Sequence, residues 1–566
     1  MHTHPNDPTR IGQLESGNFD AIPDLMPAQS LSARAMPAAL LATCFAALAI
    51  GYWVARGQPR EIGESVSDRV QCLSYAPFRK PGETPFIEET VVSEARIAED
   101  LKLMSARTGC VRTYAGRQGL DAVPRVAQSL GMKVMLGVWL GREREKNEAE
   151  LARGIELANR FPDTVTALIV GNEVLLRREL PESVLAGYID RARGETSVPV
   201  TYADVWEFWM QHRSLADHVS FVTIHILPYW EDHPVGIDAA IGHIVTIAEQ
   251  MRAVFGGKDV LIGETGWPSA GRTRHAAVAS RINQARFFRQ FGVAAAEHNL
   301  RYNFIEAFDQ PWKRYLEGTV GGYWGLNDAA QREAKFTWGE PLSNHPFWRW
   351  QAAGGILFAA LIFSVAGRAR RGSTRGVWLW LWLGVGVNAT IGGILLGLTI
   401  EKMPSESLGL AGWVRSLALA ATAVAAPLAG SVALMRGLQI PSFAQVLGRS
   451  DERITDRLAL ALGFALVALT LLAIHAALGL DFDPRYRDFP YAPLTAAIVP
   501  FLMMTISLPR STGSRPAAET AAAATLGLSS IYIAYNEGLA NWQAVWLCGA
   551  LFMLSVILLR ARDAPG

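Results

Sequence analysis

An excess of charge of either sign is the first thing this chain lacks. Across 566 residues, 53 Lys and Arg stand against 52 Asp and Glu, a formal net charge of +1. That balance gives no basis for binding nucleic acid. Cysteine is also scarce, with only Cys44, Cys72, Cys110 and Cys548. None forms a C-x-x-C pair or joins a Cys/His cluster, and the histidines show no metal-ligand spacing. No zinc site, redox motif, metal or other cofactor is therefore expected. Cys44 and Cys548 lie in apolar runs, while Cys72 and Cys110 open two neighbouring strand-like segments. The favoured reading of all four is small buried hydrophobes, with a Cys72–Cys110 disulfide as the lesser alternative. A third shortage is local: from about residue 347 onward ionisable residues become rare within long apolar runs, the composition of membrane-spanning helices.

What is present divides the chain into four parts. Residues 1–33 are polar and rich in Pro and Asp, and a disordered cytoplasmic tail is expected there. Residues 34–56 form an apolar run long enough to cross a bilayer. The long, partly acidic stretch before it fits an uncleaved anchor better than a signal peptide. Residues 64–345 carry charge throughout and read as a soluble domain. Residues 347–566 read as a seven-span bundle, with spans near 348–367, 377–400, 415–435, 458–479, 492–508, 517–535 and 542–559. Basic residues crowd alternate loops: Arg368, Arg370, Arg371 and Arg375, then Arg436, Arg449, Arg453 and Arg457, then Arg510 and Arg515, and finally Arg560 and Arg562. The intervening loops hold only Lys402, Arg415, Arg485 and Arg487. By the positive-inside rule both termini are cytoplasmic and the 64–345 domain lies outside; in a Gram-negative cell that is an inner-membrane protein with a periplasmic domain.

Within the soluble domain, eight β-rich runs alternate with amphipathic stretches, at 70–79, 109–117, 133–141, 164–177, 199–207, 218–231, 259–269 and 302–313. Most are continuous Val/Ile/Leu/Phe runs rather than apolar–polar alternations, as parallel strands buried on both faces require. The fold class is therefore α/β: a (β/α)8 TIM barrel inserted between an N-terminal transmembrane helix and a C-terminal α-helical transmembrane bundle. The runs end in polar or aromatic residues, among them Ser74, Tyr75, Arg112, Tyr114, Asn172, Glu173, Tyr202, Asp204, His225, Glu264, Glu306 and Asp309. In a barrel these ends converge on one face, where active sites sit. Because both ends of the domain lead into apolar helices, the opposite, N-terminal face is expected to point at the bilayer.

Two carboxyl groups facing each other across a barrel mouth can cleave a glycosidic bond, one protonated and one ionised. Glu173, ending the fourth run, and Glu264, ending the seventh, are the candidates. Asn172 is placed to bind a substrate hydroxyl beside them. His225 is either a substrate hydrogen-bond partner or a structural residue. Seven tryptophans fall in the barrel loops, Trp139, Trp206, Trp209, Trp230, Trp267, Trp312 and Trp324, and at least two are expected to line the cleft as platforms for sugar rings.

The segments Arg112-Thr113-Tyr114, 169–173 (IVGNE), 262–269 (IGETGWPS) and 308–326 (FDQPWKRYLEGTVGGYWGL) resemble glycoside hydrolase family 17 over about residues 70–330. The resemblance implies a retaining mechanism on β-1,3-glucan or mixed-linkage β-glucan, with Glu173 as general acid/base and Glu264 as nucleophile. It also implies that Lys313 and Glu317 support the nucleophile and that Tyr75, Tyr114 and Tyr229 line the cleft. Arg112, Tyr202, Trp267 and Trp324 complete the expected substrate-binding set. Where plant members carry other residues, this chain has 225–230 (HILPYW) after the sixth run and 306–313 (EAFDQPWK) after the eighth, and its eighth helix looks shortened. The order of anchor, barrel and bundle resembles rhizobial NdvC-type proteins of cyclic β-1,3/β-1,6-glucan synthesis, which shifts the expected reaction from hydrolysis toward transglycosylation. The expected partners are a β-glucan substrate, the lipid bilayer and a glucan synthase. Gly393 and Gly397 give a small-xxx-small spacing for helix packing. Non-catalytic glucan binding or export within a synthase complex is the alternative, against which the presence of both glutamates argues.

Overall fold

The structure is a computed structural model that describes residues 31–63, 67–371, 379–448, 454–508 and 513–562. The tail expected at 1–33 falls almost wholly outside the described residues, as do Arg375, Arg449, Arg453 and Arg510.

Eight parallel strands close into a barrel: β1 (Leu73–Ser74), β2 (Cys110–Arg112), β3 (Lys133–Val138), β4 (Val165–Asn172), β5 (Val200–Val205), β6 (Val222–His225), β7 (Val260–Thr265) and, after a two-stranded hairpin of β8 (Thr273–Arg274) and β9 (Ala277–Val278), β10 (Arg301–Phe304). β10 pairs with both β7 and β1, which closes the ring. All eight expected runs contain one of these strands. Each strand splits its apolar residues between two layers because side chains alternate. Met135, Ala167, Ile169, Ala203 and Leu261 pack together as one small cluster. Their neighbours Val134, Leu136, Leu168, Val170 and Ile262 join the large core shared with the surrounding helices. Those helices are α2 (Glu94–Met104), α3 (Val123–Ser129), α4 (Arg144–Arg160), α5 (Glu182–Glu195), α6 (Trp206–Gln211), α7 (Ile237–Val254) and α8 (Arg281–Glu297).

The eighth helix position is different. After β10 comes only α9 (Arg314–Gly321), broken at Gly318, whose φ of 68° leaves the helical region. Residues 326–345 then run back along α8 without forming a helix. Arg289 holds them there by donating to the carbonyls of Gly63 (2.8 Å) and Thr337 (3.1 Å). Asn344 also accepts from the amide of Ile282.

Cys72, just before β1, stands opposite Cys110 at the start of β2, with Cα atoms 4.5 Å apart, and the two form a disulfide. This corrects the reading of both as free buried thiols: parallel register brings two residues 38 positions apart into bonding range, which spacing alone does not show. Cys44 is exposed on its helix.

The remaining long helices are α1 (Leu31–Gly57), α10 (Trp348–Arg371), α11 (Leu379–Glu406), α12 (Gly409–Arg436), α14 (Arg457–Phe482), α15 (Tyr491–Ser507), α16 (Ala517–Glu537) and α17 (Trp542–Leu559), with a single turn, α13 (Phe443–Val446), between α12 and α14. Six are long and apolar enough to cross a membrane: α1, α10, α11, α12, α14 and α17. α15 is apolar but only 17 residues long, about 26 Å at 1.5 Å per residue. α16 is diluted by Ala, Ser, Thr and Glu519. Gly393 and Gly397 do serve packing. A Cβ on Gly393 would meet the Gly355 carbonyl at 2.7 Å, and one on Gly397 would meet the Trp53 ring at 2.7 Å.

The helices alternate in direction, so the segments 405–409, 483–490 and 537–543 share one end of the bundle. The barrel docks there, and it does so with the loops that follow β6, β7 and β10. Arg272 pairs with Glu537 in a buried ion pair. The Thr273 amide donates to Gln543 (2.8 Å) and the Thr273 carbonyl accepts from Asn541 (2.9 Å). Arg485 pairs with Asp232 (3.0 Å), and Thr319 donates to Asp488 (2.6 Å). This corrects the expectation that the N-terminal face of the barrel points toward the bilayer: loops after three of the eight strands, on the opposite face, meet the bundle. Residues 326–345, extended in place of a final helix, return the chain along the barrel's side and so free its orientation from the usual rule.

Candidate active site

β4 does not end as a regular strand. Its pairing with β5 shifts between Ile169 and Asn172, with Gly171 at φ 88° and Glu173 at φ 53°. A bulge of this kind re-aims side chains, and a non-glycine residue held in the left-handed region marks a site the surrounding structure enforces. The result turns Glu173 toward the barrel axis. There His225, ending β6, shares a hydrogen bond with it through Nδ1 (2.9 Å). Glu264, on β7, lies across from them. One ligand atom from each of Glu173, His225 and Glu264 falls within 4.8 Å of the others. Such a group could hold a cation. It equally matches the short carboxyl separation of double-displacement glycosidases, since inverting enzymes need about 6.5–9.5 Å.

Glu264 is pinned through one oxygen. Arg112 Nη1 donates to its Oε1 at 3.0 Å and the Tyr114 hydroxyl donates to the same atom at 2.8 Å. Oε2 is left free of those donors. Arg112 is itself fully buried, donating to the Gly263 carbonyl (2.7 Å) and to Asn172 Oδ1. A single guanidinium therefore ties the ends of β2, β4 and β7 together. Burial raises the proton affinity of Glu173, but the hydrogen bond and charge of His225, helped by Arg177 and Arg112, outweigh it and hold the carboxyl below its ordinary value.

After β10, Lys313 donates to Glu306 at 3.0 Å. Burial, with Glu317 and Asp309 nearby, pushes Glu306 up to about 7 despite Lys313. Glu317 is likewise raised by burial and by Glu173 and Glu264, against the pull of Lys313. Lys313 is thus bonded to one buried carboxyl, Glu306, and its charge also acts on a second, Glu317. Glu306 and Ser74, both expected among the converging strand ends, join this site, although neither was assigned a role in it. Asn303 was missed: it donates to Ser74 Oγ at 2.8 Å, and that oxygen lies 3.0 Å from the Tyr114 hydroxyl. Only its position in the last apolar run could have pointed to it.

Several expected cleft residues lie beneath the site instead. Tyr75 is enclosed and donates to Asp100. Tyr202 is enclosed and donates to Asp204, its oxygen also accepting from the amide of Leu175 behind Glu173. Tyr229 donates to the Arg272 carbonyl and Trp267 to that of Val278, both fully buried. Trp324 is 2 % exposed against Tyr229. Their rings bury large apolar areas, and each polar tip finds a partner inside the fold. Trp209 is sealed in the same way. Trp139, Trp206, Trp230 and Trp312 are half-buried; Arg177 lies 4.3 Å over Trp139, and Trp230 is covered by Arg274 and Arg485.

A (β/α)8 barrel carrying two closely facing, differently solvated carboxyls at its strand ends defines a glycosidase or transglycosylase. Residues 72–325 match the BtgE/BtgC glycoside hydrolase domain, of glycoside hydrolase family 17, and the match ends before the first helix of the bundle. A glucan 1,3-beta-glucosidase of Schizosaccharomyces pombe is 29% identical over 230 residues, covering 38% of this chain and 72% of that one. One from Arthroderma benhamiae is 27% identical, covering 43% and 84%. The crystal structure of a family 17 beta-1,3-glucanosyltransferase from Rhizomucor miehei is 27% identical, covering 47% of this chain and 96% of that one at a TM-score of 0.42.

Proposed function

We propose that this protein is a membrane-anchored retaining enzyme that cleaves and re-forms bonds in β-1,3-glucan, in an NdvC-type arrangement that serves cyclic or branched β-1,3/β-1,6-glucan synthesis. The observation that carries the chemistry is the approach of Glu173 to Glu264 within 4.8 Å, with Glu264 held by Arg112 and Tyr114 through one oxygen only. The free Oε2 attacks the anomeric carbon while Glu173, in its protonated form, gives its proton to the departing glycosidic oxygen; because His225 favours the ionised carboxyl, that protonated fraction grows as pH falls. A covalent glucosyl ester on Glu264 results. Forming it removes a negative charge beside Glu173, which lowers that residue's proton affinity when it must act as a base. Glu173 then takes the proton of water or of a sugar hydroxyl, whose oxygen displaces Glu264. The choice of acceptor is the whole difference between hydrolysis and transfer. The substrate chemistry comes from the relatives, which are named as glucan 1,3-beta-glucosidases.

Placement in an inner membrane, with the barrel in the periplasm and both termini cytoplasmic, is supported by two features. The Cys72–Cys110 disulfide suits an oxidising compartment. The basic residues Arg368, Arg436, Arg457, Arg515 and Arg560 all lie toward the bundle end away from the barrel. The test is to incubate the full chain in detergent with linear β-1,3-gluco-oligosaccharides and read products by mass spectrometry and linkage NMR. Products longer than the substrate support transfer, and shorter ones alone support hydrolysis. No turnover by folded protein would leave the barrel a binding module and sink the proposal.

A further inference from the structure

The missing eighth helix leaves the active-site segment after β10 without the support a barrel normally gives it. Lys313 and Glu317 bracket the first turn of α9, and Gly318 breaks the helix immediately afterwards. Gly321 folds back so tightly on Glu317 that a Cβ there would lie 2.7 Å from its Oε2. Among the described residues no further helix of the barrel continues this element, because residues 326–345 run along α8. The 314–319 turn itself is held by the bundle. Arg314 donates to the carbonyls of Ser405 and Ser407 at the end of α11, the second at 3.1 Å. The Thr319 hydroxyl is 2.6 Å from Asp488 Oδ2 and 3.1 Å from the Ser405 carbonyl. Gly318 lies against the 483–490 loop so closely that a Cβ would fall 2.2 Å from the Tyr486 carbonyl, and its positive φ favours glycine as well. Three residues, Arg314, Gly318 and Thr319, thus anchor the segment that carries Lys313 and Glu317 to the bundle.

We propose that the helical bundle is a working part of the active site, with Asp488 and Thr319 as positioning residues that hold Lys313 against Glu306 beside the catalytic pair. This rests on the glycosidase reading above and adds to it a reason for the bundle's contact with the catalytic face. Lys313 is the cation bonded to Glu306, one turn before Glu317. A small displacement of α9 moves that charge relative to the transition state, and a 1 Å misplacement from outside the reacting groups can cost on the order of 10²-fold in rate. Uniform binding of the sugar chain would change less.

The experiment uses the full chain in detergent and laminari-oligosaccharides of defined length. Asp488→Ala and Thr319→Val are each expected to lower kcat by roughly 10- to 100-fold with KM altered less than about threefold. Asp488→Asn, which keeps an acceptor for the Thr319 hydroxyl, and Thr319→Ser, which keeps the donor, restore most of kcat. The double variant loses no more than either single one, because both remove the same bond. Circular dichroism melts run alongside, with rates taken well below each midpoint. A kcat within twofold of wild type in both Asp488→Ala and Thr319→Val overturns the inference, as does equal loss in the conservative and non-conservative variants. An inactive wild type would instead strike at the glycosidase reading itself.

Discussion

In the barrel, Arg112, Asn172, His225, Glu264, Asn303 and Glu306 are all buried, and they crowd the same end of the strands within a connected network. In the bundle, buried polar side chains stand apart. Asn388 donates to Ser431, and Thr470 answers a carbonyl one turn back on its own helix. The bundle's charged residues gather instead at its two ends: Arg368, Arg436, Arg457, Arg515 and Arg560 away from the barrel, and Glu537, Lys402–Glu406 and the 483–490 loop facing it. The contrast teaches where chemistry is stored. A parallel barrel can concentrate buried charge because its strand ends converge, whereas an apolar helix bundle admits polar groups singly, where each has one local task.

That contrast can be broken in four places. The largest effect is expected from Glu173→Gln and Glu264→Gln, each lowering turnover of β-1,3-gluco-oligosaccharides by at least about 10²–10⁴-fold. Azide should restore turnover to Glu173→Ala by attacking the glucosyl ester without base assistance; no glucosyl azide would argue against the assigned roles. Next, Arg272→Ala leaves Glu537 unpaired in a buried interface and should cost about 3–5 kcal/mol, read as a lowered melting midpoint in detergent. Asp232→Ala, which removes the exposed partner of Arg485, should hardly move it.

A smaller change is expected in pH dependence. His225 favours the ionised form of Glu173, so its removal raises that carboxyl's proton affinity. The protonated acid then persists to higher pH, and the alkaline limb of kcat/KM in His225→Ala should move upward. A downward move would contradict the sign. The smallest effect is expected in the bundle interior: Asn388→Ala loses one interhelical hydrogen bond, about 0.6 kcal/mol, with turnover unchanged in the same assay.

Much of this was legible in the chain before folding. Continuous apolar runs of strand length, each ending in a polar pair, suffice for eight parallel strands and for Glu173 and Glu264 at one face, because strand side chains alternate and barrel strands converge. The long apolar helices α10, α11, α12, α14 and α17 were legible for a similar reason, since their apolar runs are far longer than any strand. The aromatic residues were not. Tyr75, Tyr229 and Trp267 follow the same strand ends as Tyr114, and only packing decides that their rings turn inward while the Tyr114 hydroxyl reaches Glu264.

Local pattern alone therefore determined the strands, the long helices and the two glutamates, since periodicity and strand-end chemistry depend on neighbours a few residues away. Tertiary structure decided the Cys72–Cys110 bond, the pairing of Lys313 with Glu306, and the docking of the catalytic face on the bundle. Each of these depends on register, on the packing of α9, or on where a helix is absent, and such relations between distant segments leave no periodic trace in sequence.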